Sequence, residues 1–502
     1  MLKSSAKLLI AFLVTIGFQA NAQTKSKKKP LQGKEYLVEL VDESSSDLPQ
    51  SEALLAKIQK DAEVEHLFEH WYLVKPNKAS VLSTLQASPL VRQTQPNYTI
   101  RLLENYQIQD PLKRAILYRH LNKLGAFKAK PNPIKDNPDF LTPQPDKSGT
   151  DPLFDQQWGM KDNNVTEAWK QTRGSSSMVV AVIDTGVDYT HEDLAPNMWQ
   201  NSGEMGLDAN GKDKSTNGID DDGNGYIDDT VGWDFVTNDN KPFDLSVEPL
   251  QLVFGGGNPG HGTHCAGNVA ARGNNSNGVA GVAPNVKIMA LRFISEKGQG
   301  TSADAIKAIK YAVDNGAKVL SNSWGSEGED PADEAENKAL RDIITYAQSK
   351  GVLFIAAAGN GHQGVGYDND TDKAPSYPAS YDHDNIISVA ALDVNDQFGS
   401  FSNWGAKTVD IGAPGVKVFS TTVGSQYSDT VIDKYGIHVT WDGTSMATPH
   451  VAGAAALYWS LYPNKTWQQV KDAIMRSAKP IPALQGKTVS HGKLDTAALM
   501  KN

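Results

Sequence analysis

Four short strings in this 502-residue chain carry side chains able to do chemistry, and each stands where a backbone element should begin or end. Gly443-Thr444-Ser445-Met446-Ala447-Thr448-Pro449-His450 places Ser445 ahead of the alanine-rich run Val451-Ala452-Gly453-Ala454-Ala455-Ala456-Leu457, which reads as a buried helix. At the first turn of such a helix, unpaired N–H groups and the helix dipole favour negative charge. An anionic tetrahedral intermediate needs that field, although serines before helices also serve simply as caps. Asp184 directly follows the apolar run Met178 to Ile183, so its carboxylate falls at a strand tip and must be paired or hydrogen-bonded if buried. Asp-Thr-Gly by itself also marks turns. In Gly260-His261-Gly262-Thr263-His264-Cys265-Ala266-Gly267, the flanking glycines leave the His261 imidazole room beside a nucleophile. The two histidines lack the spacing of four and the intervening glutamate of a helical zinc pair, so His264 is expected to pack or hydrogen-bond within the fold. Asn360, in Ala356-Ala357-Ala358-Gly359-Asn360-Gly361, reads either as a turn residue or as an amide donor for an oxyanion.

These residues need a frame, and the chain from Asp151 onward supplies one. Met178–Ile183, Val286–Phe293, Val319–Trp324 and Val352–Ala358 are continuous apolar β runs, with helical stretches over Ser302–Asn315 and Asp333–Lys350 between them. Strands apolar on both faces and alternating with helices predict an α/β fold, a mostly parallel doubly wound sheet with helices on both faces. In such sheets functional groups collect beyond the C-terminal ends of strands. Upstream, Tyr36–Leu40, His66–Val74 and Val91–Leu103 read as strands, and Ser51–Ile58 and Lys78–Ala87 as helices. The expected organisation is a signal peptide over 1–22, a small α+β domain over 23–103, a linker over 104–150 and the α/β domain over 151–502. The linker holds one amphipathic stretch, Leu112–Leu124, followed by proline-rich sequence.

The signal-peptide reading rests on Lys3 and Lys7, the apolar run Leu8–Phe18 and the small-residue site Ala20-Asn21-Ala22. No later run of about 18 apolar residues exists, so the mature protein is expected to be exported, secreted or periplasmic, and free of the membrane. A net charge of −10 argues against nucleic acid as partner. The first 150 residues are net positive and the remainder net negative, which weakly supports docking of one on the other. The single cysteine, Cys265, rules out an intramolecular disulfide.

Taken together, Asp184, His261, Asn360 and Ser445 give the Asp…His…Ser order of one known arrangement of the serine-protease triad. Val-Ile-Asp-Thr-Gly-Val-Asp, His-Gly-Thr-His-Cys-Ala-Gly, Ala-Ala-Gly-Asn and Gly-Thr-Ser-Met-Ala-Thr-Pro-His-Val-Ala-Gly make residues 151–502 resemble the subtilisin-like serine proteases. The resemblance implies Ser445 as nucleophile, His261 as general base and then acid, Asp184 as its orienting partner, and Asn360 with the Ser445 N–H as oxyanion donors. It also implies that Ser323-Trp324-Gly325 and Gly298-Gln299-Gly300 bind protein or peptide substrates by strand addition. Ala357, Ala358 and Gly359, all small, leave a roomy first pocket, and no acid stands there to meet a basic side chain. Broad cleavage after apolar or aromatic residues is expected. The N-terminal region resembles the family's inhibitory propeptide, in strand-helix-strand-strand-helix-strand order, which implies a self-processing zymogen cut between about Leu103 and Asp151. The alternative is a protease-shaped binding protein without turnover.

Two features depart from compact members of that family. Cys265 is expected to act as a small buried hydrophobe below His261. The long interval between Asp184 and His261 contains Asp220-Asp221-Asp222-Gly223-Asn224-Gly225-Tyr226-Ile227-Asp228-Asp229. Its spacing predicts structural calcium on Asp220, Asp222, Asn224, the Tyr226 carbonyl and Asp228, although the acidic residue at position 12 of a full calcium loop is absent. No catalytic metal or organic cofactor is expected.

Overall fold

A computed structural model describes residues 35–41, 48–104, 106–107, 110–123, 150–326, 337–434 and 436–502. The signal peptide expected over 1–22 and most of the expected proline-rich linker lie outside the described residues.

The N-terminal unit runs β1 (Tyr36–Leu40), α1 (Leu48–Ile58), β2 (Ala62–Phe68), β3 (Trp71–Pro76), α2 (Ser80–Gln86) and β4 (Val91–Pro96). Its strands form one sheet in the order β2-β3-β1-β4, with antiparallel neighbours. The strand expected over His66–Val74 is instead the turn of a hairpin, with Glu69 at φ 44°. No Asn-Gly or Asp-Gly signals that turn, because a glutamate takes the left-handed conformation here. The strand expected over Val91–Leu103 is also two. Pro96, which has no N–H to give a sheet, ends β4, and β5 (Thr99–Arg101) leaves for a different partner. The amphipathic stretch forms α3 (Pro111–Lys123).

The larger unit begins with two short helices, α4 (Trp158–Asp162) and α5 (Val165–Ala168). Its sheet is built on β6 (Val179–Asp184), β7 (Gly232–Asp234), β8 (Lys287–Arg292), β10 (Val319–Asn322), β11 (Leu353–Ala357), β12 (Ile386–Leu392) and β13 (Ile411–Pro414). In the order β13-β12-β11-β10-β6-β8-β7 every neighbouring pair is parallel. β9 (Gln299–Thr301) stands apart at the cleft. The helices that cover the sheet are α7 (His261–Ala270), α8 (Ser302–Asp314), α9 (Lys338–Ser349) and α10 (Thr444–Leu461); α6 (Pro249–Gly255) precedes α7.

Period-two alternation explains why the strands are apolar throughout. Val180 and Val182 of β6 face a core shared with α7 and α10, whereas Val179, Ala181 and Ile183 face a second core under α8 and α9. This is a doubly wound α/β architecture. α10 is buried over nearly its whole length, and its alanines and glycines permit that: a Cβ on Gly453 would stand 2.8 Å from Val282 Cβ.

The small sheet keeps α1 and α2 on one face, where Leu54, Ile58, Val81 and Leu85 close a core of their own. Its other face, through Leu37, Phe68, Trp71 and Leu73, joins the core under α8 and α9. Polar groups complete the contact at the helix starts, which have unpaired N–H groups. Asn97 Oδ1 accepts from Ala303 N–H (2.9 Å), and Gln95 Oε1 from Ala339 N–H (3.1 Å). Ion pairs here run against the overall charge difference: the cations Lys338 and Lys307 sit on the larger unit and meet Glu39 (3.1 Å) and Glu65 (3.4 Å). Local complementarity, rather than net charge, organises the contact.

Candidate active site

The β6 tip delivers Asp184 to the N-terminus of α7. Both Asp184 and His261 are fully buried, and Asp184 Oδ1 lies 2.7 Å from His261 Nδ1. The same oxygen accepts from Thr185 N–H at 2.7 Å. α7 can come this close because Gly262 has no side chain; a Cβ there would stand 2.1 Å from Gly186 O. The glycine therefore serves close approach more than freedom of the imidazole. Asn258 Oδ1 caps the helix start by accepting from Gly260 and His261 N–H, both at 2.9 Å.

Asp244, absent from the sequence reading, ties these elements together. Its buried carboxylate accepts from Thr185 Oγ1 (2.9 Å), Asn258 Nδ2 (2.6 Å), Thr263 N–H (2.8 Å) and Thr263 Oγ1 (2.6 Å). Burial raises its pKa to about 6 against the pull of those donors. The sequence signal was thin: an acid in a loop, far in the chain from both residues it steadies.

Ser445 is in the first turn of α10, beside Asn360 at the end of β11. Asn360 Oδ1 accepts from Thr444 N–H and Thr444 Oγ1, both at 2.9 Å. That assignment turns Nδ2, a donor, towards the cleft. Gly359 (φ +112°) makes the bend from β11, while Ala357 and Ala358 are buried at the strand end. Ser445 Oγ donates to Ser323 O (3.1 Å), and Ser323 Oγ donates back to Ser445 O (2.9 Å). The Trp324 side chain is fully buried and packs edge-on against Phe293 and Phe354, so that residue supports the cleft from beneath.

One further side chain enters the site: Glu104. Its Oε1 accepts from Asn360 Nδ2 at 3.0 Å, and its Oε2 is 3.1 Å from His261 Nε2. Burial alone would lower the His261 pKa, but the Asp184 and Glu104 carboxylates outweigh it and hold the pKa well above the ordinary value. Cys265 is buried, with Sγ 3.9 Å from His261 Nδ1, and burial pushes its thiol pKa up, which keeps it protonated. His264 stacks on Trp441 (centroids 4.3 Å apart) and meets Val418 O at 3.0 Å.

The acidic loop brings together only part of its expected ligand set. Glu204, Asp220 and Asp222 offer carboxylate oxygens within 4.8 Å of one another. Asp228 turns to the Gly218 N–H instead (3.1 and 3.2 Å), and Asn224 Oδ1 accepts from Tyr226 N–H (2.8 Å). Glu204, unmarked in the sequence, is fully buried; Oε1 accepts from Asp221 N–H (2.7 Å), while Oε2 has no hydrogen-bond partner. A buried carboxylate oxygen left unpaired beside two more carboxylates fits a hard cation with oxygen ligands.

With fold and site in view, comparison with known proteins defines the class. Residues 175–494 match the model of the subtilase family, peptidase family S8, and the chain belongs to that family. It is 36% identical over 340 residues to a thermophilic serine proteinase of Bacillus sp. (strain AK1), covering 68% of this chain and 66% of that one. Identity to thermitase of Thermoactinomyces vulgaris is 36% over 332 residues, 66% of this chain and 91% of that one. To the halolysin-like extracellular serine protease Nep of Natrialba magadii it is 30%, over 69% of this chain and 51% of that protein. The family is one of serine endopeptidases. Among the described residues no helix is long and apolar enough to cross a membrane.

Proposed function

We propose that this protein is a secreted serine endopeptidase, made as a zymogen that processes itself. Ser445 Oγ attacks the scissile carbonyl while His261 Nε2 takes its proton, then returns it to the leaving amine. Asp184 keeps Nδ1 protonated and stabilises the imidazolium; Asn360 Nδ2 and the Ser445 N–H hold the oxyanion. The observation that carries this reading is convergence: His261 Nε2 and Asn360 Nδ2 both reach one carboxylate, 3.1 and 3.0 Å away, at the start of the helix that bears Ser445. A base and an oxyanion donor aimed at one point are what acyl transfer requires.

Extended substrates lie between Gly298-Gln299-Gly300 and Ser323-Trp324-Gly325, and the pocket beside Ala357, Ala358 and Gly359 takes apolar or aromatic side chains. Residues 23–103 form the inhibitory propeptide and 151–502 the catalytic domain, joined by 104–150. Calcium held by Glu204, Asp220 and Asp222 stabilises the loop and takes no part in the chemistry. The deciding experiment compares the wild-type chain with Ser445→Ala for casein hydrolysis, fluorophosphonate labelling and chain processing. All three should vanish in the variant; hydrolysis or processing at the wild-type rate would sink the assignment.

A further inference from the structure

Residues 99–104 thread the cleft as a middle strand. On one side β5 pairs antiparallel with β9, Ile100 opposite Gly300. On the other, Arg101 exchanges both backbone hydrogen bonds with Gly325, at 3.2 and 3.3 Å. Leu102 N–H then donates to Gly298 O (3.2 Å). A strand held on both edges has its register set, because a slip by one residue would swap every side chain to the opposite face. Leu103 follows, buried against Gly325, whose Cβ, if it had one, would stand 3.2 Å from Leu103 Cδ2. Glu104 comes next, with its carboxylate on His261 and Asn360.

Two consequences follow from that register. Leu103 is an apolar residue seated against the substrate-lining segment Ser323–Gly325, and the peptide bond after it leads directly into the residue that reaches His261 and Asn360. Glu104 meanwhile occupies those groups itself. Its Oε1 takes the amide donor an oxyanion needs, and its Oε2 faces the nitrogen that must accept the serine proton. The Ser445 hydroxyl donates to Ser323 O instead.

We propose that Leu103–Glu104 is the bond this enzyme first cuts in its own chain, and that the Glu104 carboxylate is a latch that must leave His261 and Asn360 before the cut. The inference rests on the endopeptidase reading above. In the step itself, Ser445 Oγ bonds to the Leu103 carbonyl carbon and its proton passes to His261. The proton then moves to the Glu104 nitrogen as the C–N bond breaks. Water hydrolyses the Leu103 ester, leaving a fragment that ends in the Leu103 carboxylate and a chain that starts at Glu104. The new N-terminal segment stays anchored on α6, since Gln107 Nε2 donates to Phe254 O (2.9 Å) and Tyr118 meets the Phe254 ring edge-on at 5.7 Å.

The test follows the full chain during expression by intact mass and N-terminal sequencing. Wild type should first yield a chain starting at Glu104. Glu104→Ala should be cut at the same bond about tenfold faster or more, since one blocked oxyanion donor is worth at least that. Glu104→Gln, of the same shape but without charge, guards against misfolding of the alanine variant and should also process faster. A first cut at any other bond, the one after Glu104 included, overturns the assigned site. Unchanged or slower processing of both variants overturns the latch. Processing of Ser445→Ala like wild type strikes the endopeptidase reading itself, whereas a serine-dependent cut elsewhere leaves that reading standing.

Discussion

His261 Nδ1 and Asp184 Oδ1 lie 2.7 Å apart with both side chains excluded from solvent. In that setting the carboxylate fixes which imidazole nitrogen carries the proton, and so which one would serve as base in the proposed reaction. Asp184→Asn preserves the shape but favours the wrong tautomer. A loss of about 10⁴-fold in kcat is expected, with little change in KM, in steady-state peptide hydrolysis.

As the proposed oxyanion donor, Asn360 would act only when negative charge develops. Asn360→Ala should lower kcat by about 10²–10³-fold and leave KM within a small factor of wild type. A change confined to KM would assign Asn360 to ground-state binding instead.

Asp244 carries four hydrogen bonds from three side chains and one backbone amide. Asp244→Ala strands those donors in a buried place and should cost about 3 kcal/mol or more in chemical denaturation of the Ser445→Ala background. Asp244→Asn keeps one acceptor oxygen but turns an NH2 group on the donors of the other, so it should also destabilise, though less than the alanine, which strands all four.

Burial lowers the pKa of His264 to about 3 and of His450 to about 4, from an ordinary 6.5. Below pH 6.5 the unfolded chain binds protons that the folded one refuses. Each histidine therefore contributes stability that is full above that pH and falls away towards pH 3–4, at up to about 1.4 kcal/mol per pH unit. Melting of Ser445→Ala between pH 7 and 4 should show that slope, and His264→Phe, which can still stack on Trp441, should flatten it.

Calcium should raise the melting temperature of Ser445→Ala, and chelator should reverse the rise. Glu204→Gln, which removes the charge on the unpaired oxygen, should abolish most of the response. An equal calcium shift in that variant would place the ion elsewhere.

The order Asp184, His261, Asn360, Ser445 and the frame of buried strands were legible in the sequence, because both are local. An apolar run with an acid at its tip, or a glycine-serine start to an alanine-rich helix, declares its environment within a dozen residues. Tertiary structure decided what depends on residues distant in the chain. It drew Asp244 under Thr185 and Thr263, brought Glu204 to Asp220 and Asp222 while Asp228 turned away, and split 91–103 so that β5 could join β9. It also put Glu104, an unremarkable acid beyond the expected end of the small domain, on both His261 and Asn360. No pattern within a strand or helix encodes such a meeting, since it is fixed by the docking of the small sheet on α8 and α9 and by strand pairing across the cleft.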